Sequence, residues 1–548
     1  MSAEMGHNES AATAGDASAT TDTAGVAATA GVAATAGVAD TDADAPAAGD
    51  PAAGDAASGA VGAIGRKAGR GLRWSLLGNV VMKAGSFIVS LVLVRLLAPG
   101  DFGVYAVALA ATQFVMTIKD VGIIAATVQW RGRLEEMAPT ATVLALVSAT
   151  SLYGVFWVGA PAFAAMAGTP DAAPVVRILT AVILVEGFTA VRSGVLMREF
   201  RHDRLTGAIL AGFVMNAAVA ITLAAGGAGP YSFAWGQLAG AVVTGVLIFV
   251  SAGVPFRLRV DRAIAVRLLR FGLPSAAGTG LEAVLLNVGY VIVGAVLHKE
   301  LLGFYLLAFN VSSWVPGLVG TAIRYVSIPG FSRLAERDDQ TLQRGVERSV
   351  PLLVAGVLPI AVLMAVLAHS IVVFLYGVEW EMSAGVLRFL AVLMLVRMLT
   401  SFAFDILTSQ GATRATVWMN AGTGVALVPA IFVGAHLGGI RGAAIGHAAS
   451  AALVALPLAV LALRRTGVRL GPILPELRRP LLGGLVCGVL ALALSALVTG
   501  LTGGNPFVEL CVAGGGGLLA YVLVMVPRVT LVAALARLGG RLAAARSR

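Results

Sequence analysis

Long apolar runs alternate with short polar segments along most of this chain. The runs fall at about 76–97, 102–124, 138–159, 173–193, 205–225, 231–253, 272–297, 301–329, 350–376, 384–408, 416–436, 440–463, 481–503 and 506–526. A helix of about 20 apolar residues spans the hydrocarbon of a bilayer while satisfying its own backbone groups. The pattern therefore predicts an all-α polytopic membrane protein with about 14 transmembrane helices.

The polar segments sort by charge. With the N-terminus placed inside, most of the 39 Lys and Arg fall in inner segments, for example Arg257, Arg259, Arg262, Arg267 and Arg270. The outer loops hold only Lys299 and Arg441. Basic loops stay cytoplasmic. The alternation thus predicts a multi-pass protein of the cytoplasmic membrane with both termini cytoplasmic.

The runs also repeat. Phe102-Gly103-Val104-Tyr105-Ala106-Val107-Ala108 matches Leu302-Gly303-Phe304-Tyr305-Leu306-Leu307-Ala308 at a shift of 200 residues. Arg177-Ile178-Leu179-Thr180-Ala181-Val182 matches Arg388-Phe389-Leu390-Ala391-Val392-Leu393 at a shift of 211. Two pseudo-repeated six-helix lobes are expected, residues 70–256 (spans 1–6) and 257–465 (spans 7–12), with two extra helices at 478–527. Parallel repeats of this kind place a site between the halves. Residues 1–62 are rich in Ala, Gly, Thr and Asp and have no Lys, Arg or aromatic residue, so a disordered cytoplasmic tail is expected there. Residues 528–548 form a basic cytoplasmic tail.

Polar residues inside the runs recur at helical spacing. On span 1 they are Asn79, Lys83, Ser86 and Ser90; on span 2, Gln113, Thr117 and Asp120; on span 7, Ser275, Thr279 and Glu282. Span 8 carries Asn310, Ser313, Thr321 and Arg324, and span 10 carries Arg397, Ser401, Asp405 and Thr408. A charge in hydrocarbon costs about 2.5–3.5 kcal/mol on insertion scales, so such residues face a cavity or a partner. A cleft between the halves would offer Lys83, Arg324 and Arg397 as cations for an anionic substrate, with Asn79 and Asn310 as neutral ligands. Glu186, Glu282 and Asp405 are candidates to take a coupling H⁺ or Na⁺. Arg397 and Glu186 occupy equivalent repeat positions, so pairing with charges elsewhere is the alternative for them. Arg192 and Arg177 near helix ends would reach the interface.

Composition agrees. The chain is 58% hydrophobic and 12% charged, too little charge to cover a soluble core of 548 residues. The formal charge of +10 is scattered and not clustered on one face, which argues against nucleic acid as a partner. Cys487 and Cys511 both lie in apolar runs, and the six His show no metal-ligand spacing, so neither a redox pair nor a metal site is expected.

The segment Arg95-Leu96-Leu97-Ala98-Pro99-Gly100-Asp101-Phe102-Gly103-Val104-Tyr105 resembles the polysaccharide and oligosaccharide-lipid flippases (Wzx-type) of the multidrug/oligosaccharidyl-lipid/polysaccharide exporter superfamily. The resemblance continues through Lys119-Asp120-Val121-Gly122, the 302–308 repeat, Ile328-Pro329-Gly330-Phe331-Ser332-Arg333 and Leu375-Tyr376-Gly377-Val378-Glu379-Trp380, and covers roughly residues 70–465. It implies two lobes in a V around a cationic cavity. It also implies movement of a polyprenyl-pyrophosphate-linked saccharide from the inner to the outer leaflet by alternating access, with ion coupling and no enzymatic step or cofactor. Membrane lipids, a polysaccharide polymerase and glycosyltransferases are the implied partners. The family supplies no universal catalytic motif, so the site residues rest on helix faces alone. The competing readings are a multidrug/cation antiporter of the same superfamily, which would need an acidic cavity, and a membrane polysaccharide polymerase, which would need a sizeable outer domain.

Overall fold

The computed structural model describes residues 78–119, 124, 127, 134–199, 201–253, 256–316, 339–410 and 412–525. All regular structure among them is helical. Numbered in chain order, the helices are α1 (Gly78–Leu96), α2 (Pro99–Lys119), α3 (Leu134–Met166), α4 (Ala172–Arg198, broken at Ala181), α5 (His202–Ala225) and α6 (Tyr231–Ser251). Next come α7 (Arg262–Val296), α8 (Lys299–Val315), α9 (Asp339–Val366, continued by Ala368–Tyr376) and α10 (Met382–Ser409). A long helix kinked at Gly438–Gly439 supplies α11 (413–437) and α12 (440–465). Finally, α13 (Ile473–Thr502) and α14 (Pro506–Met525) close the described chain.

Ten of the described helices are long and apolar enough to cross a membrane, counting 415–465 as one. They establish a polytopic helical membrane protein but not the count of 14. Many large apolar side chains point outward: Leu437 is 84% exposed, Trp418 76% and Val250 76%. Water would not tolerate so broad an apolar surface, whereas lipid does.

Local chemistry sets the helix ends. Asp261 accepts from the backbone N–H groups of Ala263 (2.8 Å) and Ile264 (3.2 Å), which starts α7. Asn505 does the same for α14 through Phe507 and Val508. Gly439 adopts φ +58°, a left-handed turn that a side chain disfavours, and the chain reverses there. Threonines inside helices mostly turn back on their own backbone, as Thr112 does to Ala108 O (2.8 Å) and Thr180 to Val176 O (2.7 Å).

Small residues set the closest approaches. In the α11–α12 hairpin a Cβ on Gly434 would strike the carbonyl of Gly442, one on Gly442 that of Gly434, and one on Gly446 that of Ala430. In the α5–α6 hairpin Gly212 meets Thr244 and the Gly240 backbone, and Gly236 meets Asn216 and Ala220. Without a hydrophobic drive between helices in lipid, close backbone packing of this kind supplies the contact energy. The last hairpin of each six-helix set is therefore built the same way. A single apolar core joins α2, α8 and α10, and Trp380, 0% exposed, sits between Phe102 of α2 (5.0 Å) and Phe304 of α8 (5.7 Å).

Candidate functional site

The first six helices meet the second six at one end of the bundle through the repeated motif itself. A Cβ on Gly103 of α2 would overlap the carbonyl oxygen of Lys299, and one on Gly303 of α8 would overlap that of Pro99. The contact is reciprocal, as a two-fold relation between the repeats requires. Nearby, a Cβ on Gly168 would strike the Gly294 carbonyl, and one on Gly294 that of Ala167, which seals α7 against the end of α3. Lys299 Nζ donates to Asp171 Oδ2 at 2.7 Å. That hydrogen bond, with the charges of Asp171, Glu300 and Asp101 adding to it, raises the Lys299 pKa above its ordinary value. The Pro99/Lys299 end is thus closed by backbone contact and an ion pair.

Further along the same flank of α8 come Asn310 and Trp314, seven and eleven residues past Gly303 and so nearly in line with it on a helix of 3.6 residues per turn. Ser313 lies beside them. Trp314 meets Phe87 of α1 edge-on, with centroids 4.3 Å apart, and the tilted ring of Tyr376, with centroids 6.5 Å apart. Phe87 stands one turn from Lys83, and Asn79 one turn further, on an α1 flank distinct from the Gly78, Met82 and Gly85 flank that packs on α5. The structure thus brings α1's polar stripe and the Asn310 patch of α8 to one seam between the two sets of helices.

The remaining candidates lie elsewhere. Arg397 stacks over Phe309 at 5.5 Å, and its charge acts on Tyr305 and His447. It belongs to the interior of the second six helices, on the α8 flank of Phe309, about 100° around the helix from Asn310. Asp405 is 2% exposed on the same helix α10. Glu186 is half-buried on α4, in the first set. Arg324 lies outside the described residues, as does the side chain of Glu282 on α7.

Several polar contacts were not anticipated from the pattern. Tyr105 OH accepts from Gln237 Nε2 at 3.0 Å, and Tyr305 OH pairs with His447 Nδ1 at 3.0 Å. Ala234-Trp235-Gly236-Gln237 and Ala444-Ile445-Gly446-His447 align at a shift of 210, which would have revealed the pair. Arg192 does not reach the interface: it is 3% exposed, over the ring of Phe249 at 4.0 Å. Arg177 donates to Trp157 O at 3.0 Å and covers that indole. Glu509, buried on α14, accepts from Ser370 at 2.6 Å and from Ser495, tying α13 and α14 to the end of α9. It had no helical stripe to mark it.

The sequence profile of the family described as "Polysaccharide biosynthesis protein" matches residues 92–385, which run from α1 through the seam into α10. The chain belongs to this family. Among its relatives, the lipopolysaccharide biosynthesis protein WzxC of Escherichia coli (strain K12) is 22% identical over 391 residues, 69% of this chain and 77% of that protein. The succinoglycan biosynthesis transport protein ExoT of Rhizobium meliloti (strain 1021) is 27% identical over 335 residues, 59% of this chain and 65% of ExoT. In fold, the lipid II flippase MurJ in its inward closed conformation superposes with a TM-score of 0.68 at 12% identity, covering 83% of this chain and 98% of MurJ. An inward-facing MATE-family multidrug resistance transporter of the MOP superfamily gives 0.50 at 17% identity, covering 72% of this chain and 94% of that one. This member of the polysaccharide biosynthesis family therefore has a transporter fold, with α1, α2, α7 and α8 along the central seam.

Proposed function

We propose that the protein is a flippase that carries a polyprenyl-pyrophosphate-linked oligosaccharide or polysaccharide precursor from the inner to the outer leaflet by alternating access. The seam carries this reading: it is closed at the Pro99/Lys299 end, and several turns further along, the α1 flank that carries Lys83 meets the α8 patch of Asn310 and Trp314 through Phe87. A charged sugar head needs such a lining while its prenyl tail stays in lipid. Residues 70–256 and 257–465 act as two lobes in this scheme, 478–527 as an added helical pair, and the Pro99/Lys299 end faces outward in the cytoplasmic membrane. The names of WzxC and ExoT, for lipopolysaccharide biosynthesis and succinoglycan transport, support the cargo class.

Glu186, Glu282 and Asp405 are the proposed carriers of a coupling H⁺ or Na⁺. One such charge moving down the membrane potential is worth about 2.3 kcal/mol per 100 mV. The half-buried Glu186 and the buried Asp405 also favour a second reading, a cation antiporter, whose fold the MATE likeness shares.

Reconstitution in vesicles separates the two. The expected result is movement of a labelled polyprenyl-pyrophosphate saccharide, with Lys83→Gln slowing it. Export of a lipophilic cationic dye without movement of the saccharide would replace the flippase by the antiporter.

A further inference from the structure

Packing leaves one patch of α8 chemically incomplete. Asn310, Ser313 and Trp314 stand at i, i+3 and i+4, side by side on one helix face. Asn310 Oδ1 and Ser313 Oγ are both buried, and neither has a hydrogen-bond partner among the described residues. Ser313 is only 5% exposed. Buried side-chain oxygens are normally paired, because an unmet one forfeits the hydrogen bonds it had in water. Both oxygens accept from hydroxyl groups, and the serine hydroxyl also donates.

The equivalents on α2, 200 residues earlier, are Ala110, Gln113 and Phe114. Ala110 is 2% exposed in the apolar core, so the first half offers no matching amide at that place. The Asn310 amide is therefore an addition to the repeat, whereas the polar and aromatic positions after it, Ser313 against Gln113 and Trp314 against Phe114, are shared in kind. Trp314 completes the patch with a large flat apolar face that also carries an N–H, the combination that suits a ligand both ring-shaped and polar.

We propose that Asn310, Ser313 and Trp314 form a saccharide subsite several turns along α8 from the closed Gly103/Gly303 contact. Sugar hydroxyls complete the two oxygens, the carbon-bound hydrogens of the sugar ring lie on the indole, and Lys83, one turn along α1 from Phe87, takes the phosphate end. This rests on the flippase reading and adds where the sugar sits. Neutral acceptors beside an aromatic face suit a hydroxyl-rich neutral ring better than a phosphate, which calls for cations and N–H donors.

The test compares two probes on purified full-length protein in lipid nanodiscs: a polyprenyl-pyrophosphate oligosaccharide and the same polyprenyl pyrophosphate without sugar. Asn310→Ala and Ser313→Ala should each weaken binding of the saccharide probe by roughly 5-fold, the value of about one hydrogen bond, and leave the sugarless probe unchanged. Trp314→Ala should act the same way more strongly, with Trp314→Phe recovering part of the loss. Equal effects on both probes, or none on either in variants that keep the wild-type thermal transition, overturn the subsite while the flippase reading stands. A wild-type protein that binds neither probe overturns the flippase reading and the subsite with it.

Discussion

Tyr105 of α2 and Tyr305 of α8 hold equivalent places in the two halves, and each bonds a residue near the start of the sixth helix of its own half at 3.0 Å. The partners differ: Gln237 in the first half, His447 in the second. So do the surroundings. Tyr105 stacks on Phe233 at 4.1 Å, whereas Tyr305 and His447 lie within reach of the Arg397 charge, at the position where the first half has Glu186. Packing residues, Gly103 with Gly303 and Gly236 with Gly446, are held in common. The polar partners have diverged. Duplication supplies the frame twice, and the chemistry is then free to differ because these polar side chains do not sit at the close backbone contacts.

The comparison breaks most readily at the glycines. Gly103→Val and Gly303→Val each drive a side chain into a backbone carbonyl that cannot rotate away, so each should cost at least about 3 kcal/mol, the top of the range for overpacking. Both should reduce saccharide transfer in vesicles more than about 10-fold and lower the thermal transition by similar amounts. Tolerance at one site alone would show that the contact is not reciprocal in function. Gly356→Ala in α9, with nothing within 4 Å of the added carbon, should instead be neutral or stabilise by about 0.5–1 kcal/mol.

The charge positions come next. Arg397→Gln removes a cation from the face of Phe309 and should cost about 1–2 kcal/mol in thermal stability. Glu186→Gln should cost less stability and instead abolish the dependence of transfer on the ion gradient. Equal behaviour of the two variants would erase the difference drawn between the equivalent positions 186 and 397.

The tyrosine pairs give a smaller effect. Tyr105→Phe and Tyr305→Phe each delete one hydrogen bond, about 1 kcal/mol in thermal denaturation. His447→Gln rebuilds the first-half pair inside the second half and should cost less than Tyr305→Phe. A larger cost would mean that the imidazole does more than bond the phenol.

These contrasts also show which parts were legible beforehand. The Gly-Tyr repeat could be read because backbone contact demands glycine at a fixed register, and register survives in sequence. Polar stripes on α1 and α8 could be read because helical spacing puts them on one face. Partners could not be read: periodicity says which residues share a face but not which helix lies opposite. Hence helical spacing groups Arg397 with Lys83, while the fold holds it behind α8 among Phe309, Tyr305 and His447. A place near a helix end points Arg192 to the interface, yet two rings of its own half, Phe249 and Phe256, lie against it. Glu509 stood alone in its run and made sense only once α9 and α13 brought Ser370 and Ser495 to it.

The smallest expected effect lies at the closed end, where the two halves exchange charge instead of backbone. Lys299 and Asp171 are bonded at 2.7 Å but remain 38% and 70% exposed, so water and salt screen them. Exposed pairs contribute about 0–1 kcal/mol. Asp171→Asn should therefore leave the thermal transition nearly unchanged and shift the balance between closed and open forms by a few-fold at most, as measured by hydrogen exchange of the backbone at the closed end. The pH dependence has a definite sign. The folded protein holds the Lys299 proton more tightly than the unfolded chain, so the pair contributes fully below the ordinary lysine value of about 10.4 and is lost as pH rises through the raised one. Closure should consequently be flat with respect to this pair between about pH 6 and 9 and weaken only in strong alkali. A sharp change in closure near neutral pH that survives Asp171→Asn would assign the sensitivity to another group that acts beside the glycine contact.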